Sequence, residues 1–320
     1  MINKKKLIFF SNLKYILIVI SIFFIIIDFF FYKKIKVCIC TIGKNENKYV
    51  KEFVEYYKRY RVDKIFLYDN NEINGEKFDV VLNKYIKYGF VKIIDFRGIL
   101  KAQIKYYQDC YKQNYKQYDW LIFFDVDEYI FLKNYQNIKN FLKNDRFDKC
   151  QRIQLNWIFH TDNNLLYYDN RPLSKRFPER EPKARGHKGD KGHKKGESSG
   201  IKSILKGNID INITDVHILS RNLTSCDGFG NRKDIQNIVT NTSDFEYYYI
   251  DHYYCKSTEE FINKLTRGSV YFGFDKEHML RRINVYLSYN KITEDKLKLI
   301  ENATKFNLSY YRNKIKKYSL

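Results

Sequence analysis

The sequence WLIFFDVDEYI, residues 120–130, changes abruptly from bulky apolar side chains to carboxylates. Its first half, Leu121–Phe124, is apolar without interruption, as is typical of a strand that is covered on both faces of a parallel sheet. Asp125 and Asp127 then flank Val126 at the point where that strand ends. Ligands of open α/β sheets bind outside the carboxyl ends of the strands. This stretch therefore predicts a buried strand that delivers two carboxylates to a ligand site.

A pair of carboxylates at such a position suits a divalent cation. Mn²⁺ and Mg²⁺ prefer carboxylate oxygen and also bind phosphates, so an ion held by Asp125 and Asp127 would neutralise a departing diphosphate. The alternative is an exposed acidic turn, because a D-x-D pattern alone is common. Its place after a fourth buried strand favours metal and nucleotide chemistry.

Upstream of this stretch, short apolar runs alternate with helical patterns. A run that ends at Gly43 is followed by apolar residues at Val50, Phe53, Val54 and Tyr57, which is the spacing of an amphipathic helix. Two further strand–helix pairs lead to the fourth strand. Such alternation implies right-handed βαβ units. The predicted fold is α/β and Rossmann-like, with a mostly parallel twisted sheet flanked by helices.

The N-terminal region carries a long apolar run at residues 13–32, after a lysine-containing segment at residues 1–12. A bilayer core needs about 20 apolar residues in a helix, and no small-residue cleavage site follows the run. We therefore expect an uncleaved signal anchor in the lipid bilayer, with a cytoplasmic tail before it. This arrangement is a single-pass type II membrane protein, in the Golgi or the ER if the source is eukaryotic. A globular domain at residues 35–290 and a helical tail at residues 291–320 are expected to follow.

The chain is strongly basic, with a net charge of +21 that is spread along its length. Such a charge is compatible with a solvated surface, with anionic membranes or with phosphate-bearing substrates. No zinc-finger spacing or RNA-binding aromatic motif is present, so no nucleic-acid partner is expected. Residues 176–200, rich in Lys and Gly, predict a flexible loop that either closes over a bound substrate as a lid or holds an anionic second substrate.

The six cysteines contain no C-x-x-C pair, so a zinc site is not expected. Cys38 and Cys40 alternate on the first strand and are expected in the core. Disulfides among the other cysteines are compatible with the sequence, but their pairing cannot be read from it. The oligomeric state is likewise left open.

Five segments together resemble glycosyltransferase family 92 and its close relatives in the family 2 superfamily, over about residues 37–273. They are VCICTIGKNENKYVKEFVEYYKRY, VDKIFLYDNN, WLIFFDVDEYIF, LNWIFH and DHYYCKSTEEFINKLTRG. The resemblance implies a GT-A fold, often on a type II membrane anchor. It also implies transfer of a sugar from a UDP-sugar or similar nucleotide donor to a glycan acceptor, with Mn²⁺. Galactose is the sugar that the characterised animal members transfer.

The resemblance also implies roles for individual residues. Asp125 and Asp127 match the metal-binding pair. Lys256 is suited to the diphosphate, with a solvated surface lysine as the alternative. Glu46 can instead cap the following helix, Asp69 can form a turn, and Gln103 can be a surface helix residue. The positions that match the nucleotide site are Thr41, Lys44, Asn45, Glu46, Asp69 and Gln103.

Two histidines are candidates for completing the metal site. His217 ends the strand-like segment NIDINITDVHIL, which is expected to lie beside the strand that precedes Asp125. His252 begins an aromatic run that is suited to packing. Histidines in such places are more often structural. We prefer His217 as the ligand and expect His252 to lie farther from the ion.

An inverting transfer needs a carboxylate that takes the proton of the acceptor hydroxyl. Asp162, Glu179 and Glu181 follow Trp157 in the expected region, and Asp162 and Glu181 are the candidates we select. Trp157 can stack on the acceptor sugar or fill the core, and we favour the core. The alternative functions are a catalytically inactive GT-A-like protein that binds glycans or acts as a membrane scaffold, and a membrane-tethered polyanion binder.

Overall fold

The computed structural model describes residues 20–21, 34–180, 200–233, 246–270 and 275–318. The predicted tail 1–12 and nearly all of the predicted anchor 13–32 lie outside these residues, as do residues 181–199 of the predicted loop. Helices long and apolar enough to cross a bilayer are absent from the part of the chain that is described. The chain divides into two compact units, Met1–Ile35 and Lys36–Leu320. The second unit carries the fold described here.

Strands and helices alternate through the first half of this unit, as the hydrophobic pattern predicts. The strands are β1 (Val37–Gly43), β2 (Lys64–Asp69), β3 (Val91–Asp95), β4 (Trp120–Phe123), β5 (Glu128–Leu132), β6 (Arg152–Phe159), β7 (Ile201–Lys206), β8 (Ser225–Cys226), β9 (Arg232–Lys233) and β10 (Tyr248–His252). The helices are α1 (Asn47–Arg59), α2 (Phe78–Lys87), α3 (Gln103–Asn114), α4 (Ile138–Leu142), α5 (Leu173–Arg176), α6 (Thr258–Thr266), α7 (Lys276–Tyr289), α8 (Glu294–Thr304) and α9 (Ser309–Tyr318).

The ten described strands form one mixed sheet, and eight of them follow the order β3-β2-β1-β4-β7-β6-β10-β5. The short strand β8 pairs with β6 and with β9 beside this series. The first four strands are parallel to one another, and β10 is parallel to β6. Strand β7 is antiparallel to both β4 and β6, and β5 closes the edge antiparallel to β10. The expectation of an α/β protein with a mostly parallel sheet between helices is confirmed at this level.

Burial follows the apolar patterns closely. All seven residues of β1 and all four of β4 are buried, because helices cover both faces of the sheet. The predicted face of α1, formed by Val50, Phe53, Val54 and Tyr57, is buried as expected. Helix α3 buries Tyr106, Tyr107, Cys110 and Tyr111, with Asn114, against the opposite face of the sheet.

Residues 120–130 do not form one continuous strand. Strand β4 ends at Phe123, and the chain turns before β5 begins at Glu128. The backbone amide of Glu128 donates to the carbonyl of Asp125 at 3.0 Å, which closes the turn. Asp125 and Asp127 therefore lie in a turn at the carboxyl end of β4, here called the DVD turn (residues 125–127), where both side chains can face a ligand.

The strand predicted over residues 208–219 is wrong. This segment contains no strand in the structure, and β7 occupies the place beside β4 instead. Side-chain groups satisfy its backbone: Asp215 Oδ1 accepts from the amides of His217 at 2.7 Å and Ile218 at 2.9 Å. Arg152 of β6 donates to the carbonyls of Ile218 and Ser220. Backbone groups that are bonded in this way are not available to a β-ladder.

Two disulfides join elements that are distant in sequence. Cys40 of β1 is bonded to Cys110 of α3, and Cys150 is bonded to Cys226 of β8. Cys38 and Cys40 are both buried, as predicted. The pairing of Cys40 was not expected from its place on a core strand.

The C-terminal helices form a second apolar cluster. Phe261 and Leu265 of α6 pack with Ile283 of α7 and with Leu297 and Ile300 of α8. A capping box at Ser257 and Glu260 begins α6, which supplies hydrogen bonds to otherwise unpaired amides. The cluster thus packs α6, α7 and α8 against one another.

Candidate functional site

A cavity of about 580 Å³ lies at the carboxyl ends of β1, β4 and β10. This volume is within the range of small-molecule sites, roughly 300–1,000 Å³. Helices α6 and α7 and residues 215–217 form its other walls. Its charged and polar lining includes Lys44, Glu46, Gln103, Asp125, Asp127, Lys202, Asp215, His217, His252, Lys264, Arg267, Ser269, His278, Arg281 and Arg282.

Asp125 lies on the cavity wall and is paired with a buried lysine. Lys202 Nζ is 2.9 Å from Asp125 Oδ2 and 3.6 Å from Glu128 Oε2. The register of β7 on β4 explains this contact, because Ile204 is opposite Ile122 and Lys202 thus lies just beyond the end of β4. Burial alone would lower the pKa of Lys202, but Asp125 and Glu128 raise it well above its ordinary value. Lys202 is therefore a charged ammonium group.

Asp127 is more deeply buried than Asp125. Its Oδ2 accepts from Lys264 Nζ of α6, and its Oδ1 lies 3.7 Å from His252 Nε2. Burial would raise the pKa of Asp127, but Lys264 and then His252 lower it far below its ordinary value. His252 itself has a pKa lowered to about 3, mainly by burial. Asp127 is thus an anion beside a neutral imidazole.

Both candidate histidines line the cavity, on either side of Trp157. The rings of His217 and His252 lie 5.3 Å and 4.6 Å from the Trp157 ring. His217 Nδ1 is 3.1 Å from the carbonyl oxygen of Ile201. Nδ1 of His252 is buried without a hydrogen-bond partner among the described residues. The short distance between His252 and Asp127 favours His252 over His217 as the third ligand of an ion at this place.

The loop after β1 forms the opposite wall. Glu46 occupies the N-cap position of α1, but its side chain makes no capping hydrogen bond. Its Oε1 instead accepts from Arg267 at 2.5 Å. Lys44, also on this wall, pairs with Glu72 at 2.7 Å. Gln103, the first residue of α3, lines the cavity as the nucleotide-site expectation requires.

Four of the expected nucleotide-site residues do not line this cavity: Thr41, Asn45, Asp69 and Lys256. Asn45 lines a smaller neighbouring cavity. Thr41 is fully buried on β1. Asp69 Oδ1 accepts from the amide of Asn71 at 3.0 Å, which is the turn-forming role considered as its alternative. Lys256 faces that smaller polar cavity, of about 330 Å³, where its ammonium lies 3.5 Å from the Tyr49 ring centroid and 3.5 Å from Glu46. Lys256 is therefore not a surface lysine. It lies close enough to Asp127 for its charge, after those of Lys264 and His252, to lower the pKa of that carboxylate.

The candidate bases are also placed elsewhere. Asp162 is 1% exposed and forms a 2.6 Å ion pair with Lys296 of α8. Tyr286 donates to the same carboxylate at 2.6 Å. Glu179 is exposed and outside the cavity lining, and Glu181 lies outside the described residues. Asp162 thus joins the C-terminal helices to the sheet and lies outside the cavity lining, which favours an anchoring role over that of a base.

Asp215 is the carboxylate that the sequence analysis missed. It lines the cavity and is half-buried. Glu46, Asp125 and Asp127 each face a cation, whereas Asp215 has no ion pair within the described ranges. The two backbone amides that bind Oδ1 hold the side chain in place. Its signal in the sequence, a lone Asp before Val-His, is too weak to find without the structure.

Lys264 and Arg267 were also missed, although a pattern indicates them. They lie four and seven residues after Glu260, so that all three share one face of α6 and the turn that follows it. Arg267 also donates to the carbonyl oxygens of Lys44 and Asn45, which joins α6 to the loop after β1. Two cations thus stand beside the acidic turn, where a diphosphate could bind.

The residues at the DVD turn fit a hard divalent ion by ligand type. Among the described residues, no three His, Cys, Asp or Glu side chains converge as a ready-made metal centre. The 3.7 Å between Asp127 and His252 is too long for a hydrogen bond but suits two atoms that each lie about 2.2 Å from a shared ion. Asp125 adds a carboxylate whose side chain is 32% exposed. Two carboxylates and an imidazole are suitable Mn²⁺ ligands.

The fold and the cavity together define an α/β protein with a ligand-binding cleft at the carboxyl edge of its sheet. The family model of glycosyltransferase family 92 matches residues 33–318. The chain belongs to glycosyltransferase family 92, which confirms the resemblance seen in the sequence.

Curated relatives match a shorter stretch. A family 92 protein of Ricinus communis is 30% identical over 112 residues, which is 35% of this chain and 20% of that protein. A family 92 protein of Oryza sativa subsp. japonica is 26% identical over 112 residues, or 35% of this chain and 19% of that protein. The matched stretch thus spans about a fifth of the length of these relatives.

Among solved structures, S. aureus TarS 1-349 in complex with UDP-GlcNAc matches with a TM-score of 0.35 and 13% identity, over 84% of this chain and 79% of that chain. A structure of TarS 1-349 matches with a TM-score of 0.36 and 14% identity, over 79% of this chain and 70% of that chain.

Proposed function

We propose that this protein is a metal-assisted glycosyltransferase with a GT-A type fold. It would move a sugar from a nucleoside diphosphate donor to a hydroxyl of a glycan acceptor. The observation that carries the proposal is the meeting of the DVD turn with Lys264 and Arg267 in one cavity at the carboxyl edge of the sheet. Family membership supports it. A UDP-sugar is the donor to test first, with galactose as the first sugar.

The donor diphosphate would lie between the DVD turn and α6. Lys264 and Arg267 supply the positive charge there, and both side chains are already held in place, by Asp127 and by Glu46. Gln103 and Lys44 line the same side of the cavity and would contact the nucleotide. Because these cations are fixed before the donor arrives, little side-chain entropy is lost on binding.

Asp125, Asp127 and His252 would hold the Mn²⁺ or Mg²⁺ ion. When bound, the ion supplies positive charge that stabilises the leaving diphosphate. Lys202 and Lys264 hold the two carboxylates in place before an ion binds.

Asp215 would act as the general base of an inverting transfer. Its Oδ2 would take the proton of the acceptor hydroxyl while the acceptor oxygen bonds to the anomeric carbon. The bond from that carbon to the diphosphate oxygen breaks in the same step, and the nucleoside diphosphate leaves with its electron pair. The backbone amides that bind Oδ1 leave Oδ2 available for this role.

The first experiment is calorimetric titration of the purified full-length chain with UDP, with Mn²⁺ and with EDTA. We expect micromolar binding that depends on the metal, and loss of that dependence in Asp127→Asn. Asp79→Asn is the matched control, since Asp79 is exposed on α2 and outside the cavity. Absence of UDP binding by the wild-type chain with Mn²⁺ would refute the proposal. Release of UDP from UDP-galactose in the presence of a glycan then tests transfer.

The alternative is an inactive family member that binds glycans. One observation favours it: both DVD carboxylates already have ammonium partners, so the cavity is electrostatically stable without an ion. This alternative predicts glycan binding that is unaffected by Mn²⁺ and no release of UDP from any donor in a panel of nucleotide sugars.

We further propose that residues 13–32 anchor the protein in a bilayer as a type II membrane protein, in the Golgi or the ER of a eukaryote. The length and apolar character of the run support this proposal. Protease treatment of intact vesicles tests it. Protection of the globular domain is expected, and its digestion without detergent would contradict the orientation.

A further inference from the structure

The cavity has a second basic region, on the face of α7. Residues 278, 281, 282 and 285 follow helical spacing, and the side chains at all four positions line the cavity. Two of them are arginines. This face of α7 forms a wall of its own in the cavity, apart from the DVD turn and from the loop after β1.

The charges on this face differ from those near the DVD turn in one respect. Lys202, Lys264 and Arg267 each face a carboxylate inside the protein. Arg282 has no carboxylate within ion-pair distance among the residues that the structure describes. Arg281 has one partner, Glu277 at 3.5 Å, and both side chains are mostly exposed, at 69% and 87%. Such an exposed pair is worth little.

Neutral contacts hold Arg282 in place. Its Nε donates to Tyr254 Oη at 3.2 Å, and its Nη1 is 3.5 Å from the carbonyl oxygen of Lys264. Its Nη2 has no hydrogen-bond partner in the described part of the chain. A guanidinium that is fixed in this way presents a planar donor edge, which suits a carboxylate or a phosphate.

Aromatic side chains stand beside this basic face. Trp157, Phe159 and Tyr254 line the same cavity, and the rings of Phe159 and Tyr254 meet edge to face at 5.8 Å. An aromatic wall with a few fixed polar groups is typical of a pocket for an organic ligand. Trp157 is only half-buried, so it faces the cavity and does not simply fill the core.

We infer that the α7 face is the acceptor subsite and that the acceptor carries an anionic group, a carboxylate or a phosphate, near the hydroxyl that receives the sugar. This inference rests on the proposed function. Lys202, Lys264 and Arg267 are each paired with a carboxylate. The donor diphosphate would bind together with a divalent ion of equal and opposite charge.

Among the cavity cations named here, Arg282 is then the one without a carboxylate within ion-pair distance, and Arg281 has only its exposed pair with Glu277. Asp215, on another wall of the cavity, would be occupied with the acceptor hydroxyl, so a neutral acceptor would leave the guanidinium of Arg282 without an anionic partner.

The pKa of His278 is consistent with this local field. It is lowered mainly by burial, and then by the positive charges of Arg282 and Arg281. The imidazole therefore stays neutral at pH 7 and can bind an acceptor hydroxyl without adding charge.

The test compares three probes that share one glycoside frame and differ in charge. They are p-nitrophenyl β-glucoside, p-nitrophenyl β-glucuronide, and the glucoside phosphorylated on its primary hydroxyl. Affinities are measured on the full-length chain by ligand-observed NMR, with UDP and Mn²⁺ present to occupy the donor region. We expect at least one charged probe to bind about tenfold more tightly than the neutral one, with a preference that weakens as salt increases. The tighter of the two charged probes identifies the anion.

Arg282→Gln should remove most of this preference, and Arg281→Gln should reduce it. Arg281 is exposed, so its variant reports on charge even if the Arg282 variant is unstable. Arg171→Gln is the matched control, because Arg171 pairs with Asp169 outside the cavity and should leave the preference unchanged. UDP binding should be unchanged in all three variants.

Equal affinity for the three probes, or no measurable binding of either charged probe, would overturn the inference. A loss of UDP affinity in Arg282→Gln as large as the loss for the charged probe would also overturn it, since the arginine would then serve the donor. If the wild-type chain fails to bind UDP at all, the proposed function fails instead. UDP binding without a preference for charged probes counts against the acceptor inference alone.

Discussion

Replacing Asp162 by Asn should destabilise the protein, whereas replacing Asp215 by Asn should stop the chemistry and leave the fold intact. The two substitutions make the same change, from carboxylate to amide. They differ in what the carboxylate faces. Asp162 meets Lys296 and Tyr286 in the core of the C-terminal helices, while Asp215 faces the cavity.

The magnitude follows from the burial of the Asp162–Lys296 pair. Both side chains are only 1% exposed, and removing one partner of a buried pair costs about 3–5 kcal/mol. An Asn at this position can still accept from the amide of Asn164, which now donates to Oδ1 at 2.9 Å. We therefore expect Asp162→Asn to lower the free energy of unfolding by about 3 kcal/mol, the low end of that range. This is a large part of a typical free energy of unfolding, roughly 5–15 kcal/mol.

Asp215→Asn should cost less than about 1 kcal/mol, because the side chain is half-buried and its amide oxygen can accept the same two backbone hydrogen bonds. Loss of a general base lowers turnover by about 10²–10⁴-fold. Urea unfolding, followed by the fluorescence of the two tryptophans on β4 and β6, gives the free energies. UDP release from UDP-galactose gives the turnover.

The opposite pattern would refute this reasoning. The Asp162→Asn variant could unfold at the same urea midpoint as the wild type and yet have a turnover at least a hundredfold lower. Asp162 would then be the base, as the sequence analysis proposed. If Asp215→Asn retains wild-type turnover, the cavity carboxylate has no catalytic role. Equal loss of stability in both variants would show that the two environments do not differ as the structure describes.

Two further predictions concern stability. Glu260→Gln should lower the free energy of unfolding by about 3 kcal/mol, because it leaves the buried guanidinium of Arg176 without its partner at 2.7 Å. Burial would raise the pKa of Glu260, but hydrogen bonds from Arg176 and Ser257 lower it. The ionised Glu260 therefore stabilises the fold fully above its unfolded pKa of about 4.3. This stabilisation is lost as the pH falls from there through the lower pKa of the folded state. In this pH range, the free energy of unfolding measured with urea should depend less on pH in the variant than in the wild type. The same pH dependence in both proteins would contradict the role given to Glu260. Replacing Cys150 and Cys226 by Ser removes a cross-link between residues separated by 76 positions and should cost about 4 kcal/mol by loop-closure entropy; an unchanged melting temperature would mean that the bond does not form.

Local patterns in the sequence were enough to predict the first half of the fold, in which strands and helices alternate. The run at β1 and the helical spacing in α1 are set by burial on one or both faces, and that constraint is written in neighbouring residues. The place of Asp125 and Asp127 follows from the same reasoning, since apolar residues end where the strand leaves the core. The carboxylate pair at the edge of the sheet could thus be found without coordinates.

The tertiary structure alone decided which groups meet that pair. Lys202 reaches Asp125 because β7 runs antiparallel to β4 in one particular register, and His252 reaches Asp127 because β10 lies between β6 and β5. The sequence around Asp162 and the sequence around Asp215 do not tell the two carboxylates apart. In the structure, Asp162 pairs with Lys296 in the core, whereas Asp215 lines the cavity. Contacts between residues far apart in sequence depend on strand order and register, and the burial pattern of one segment does not contain either of them.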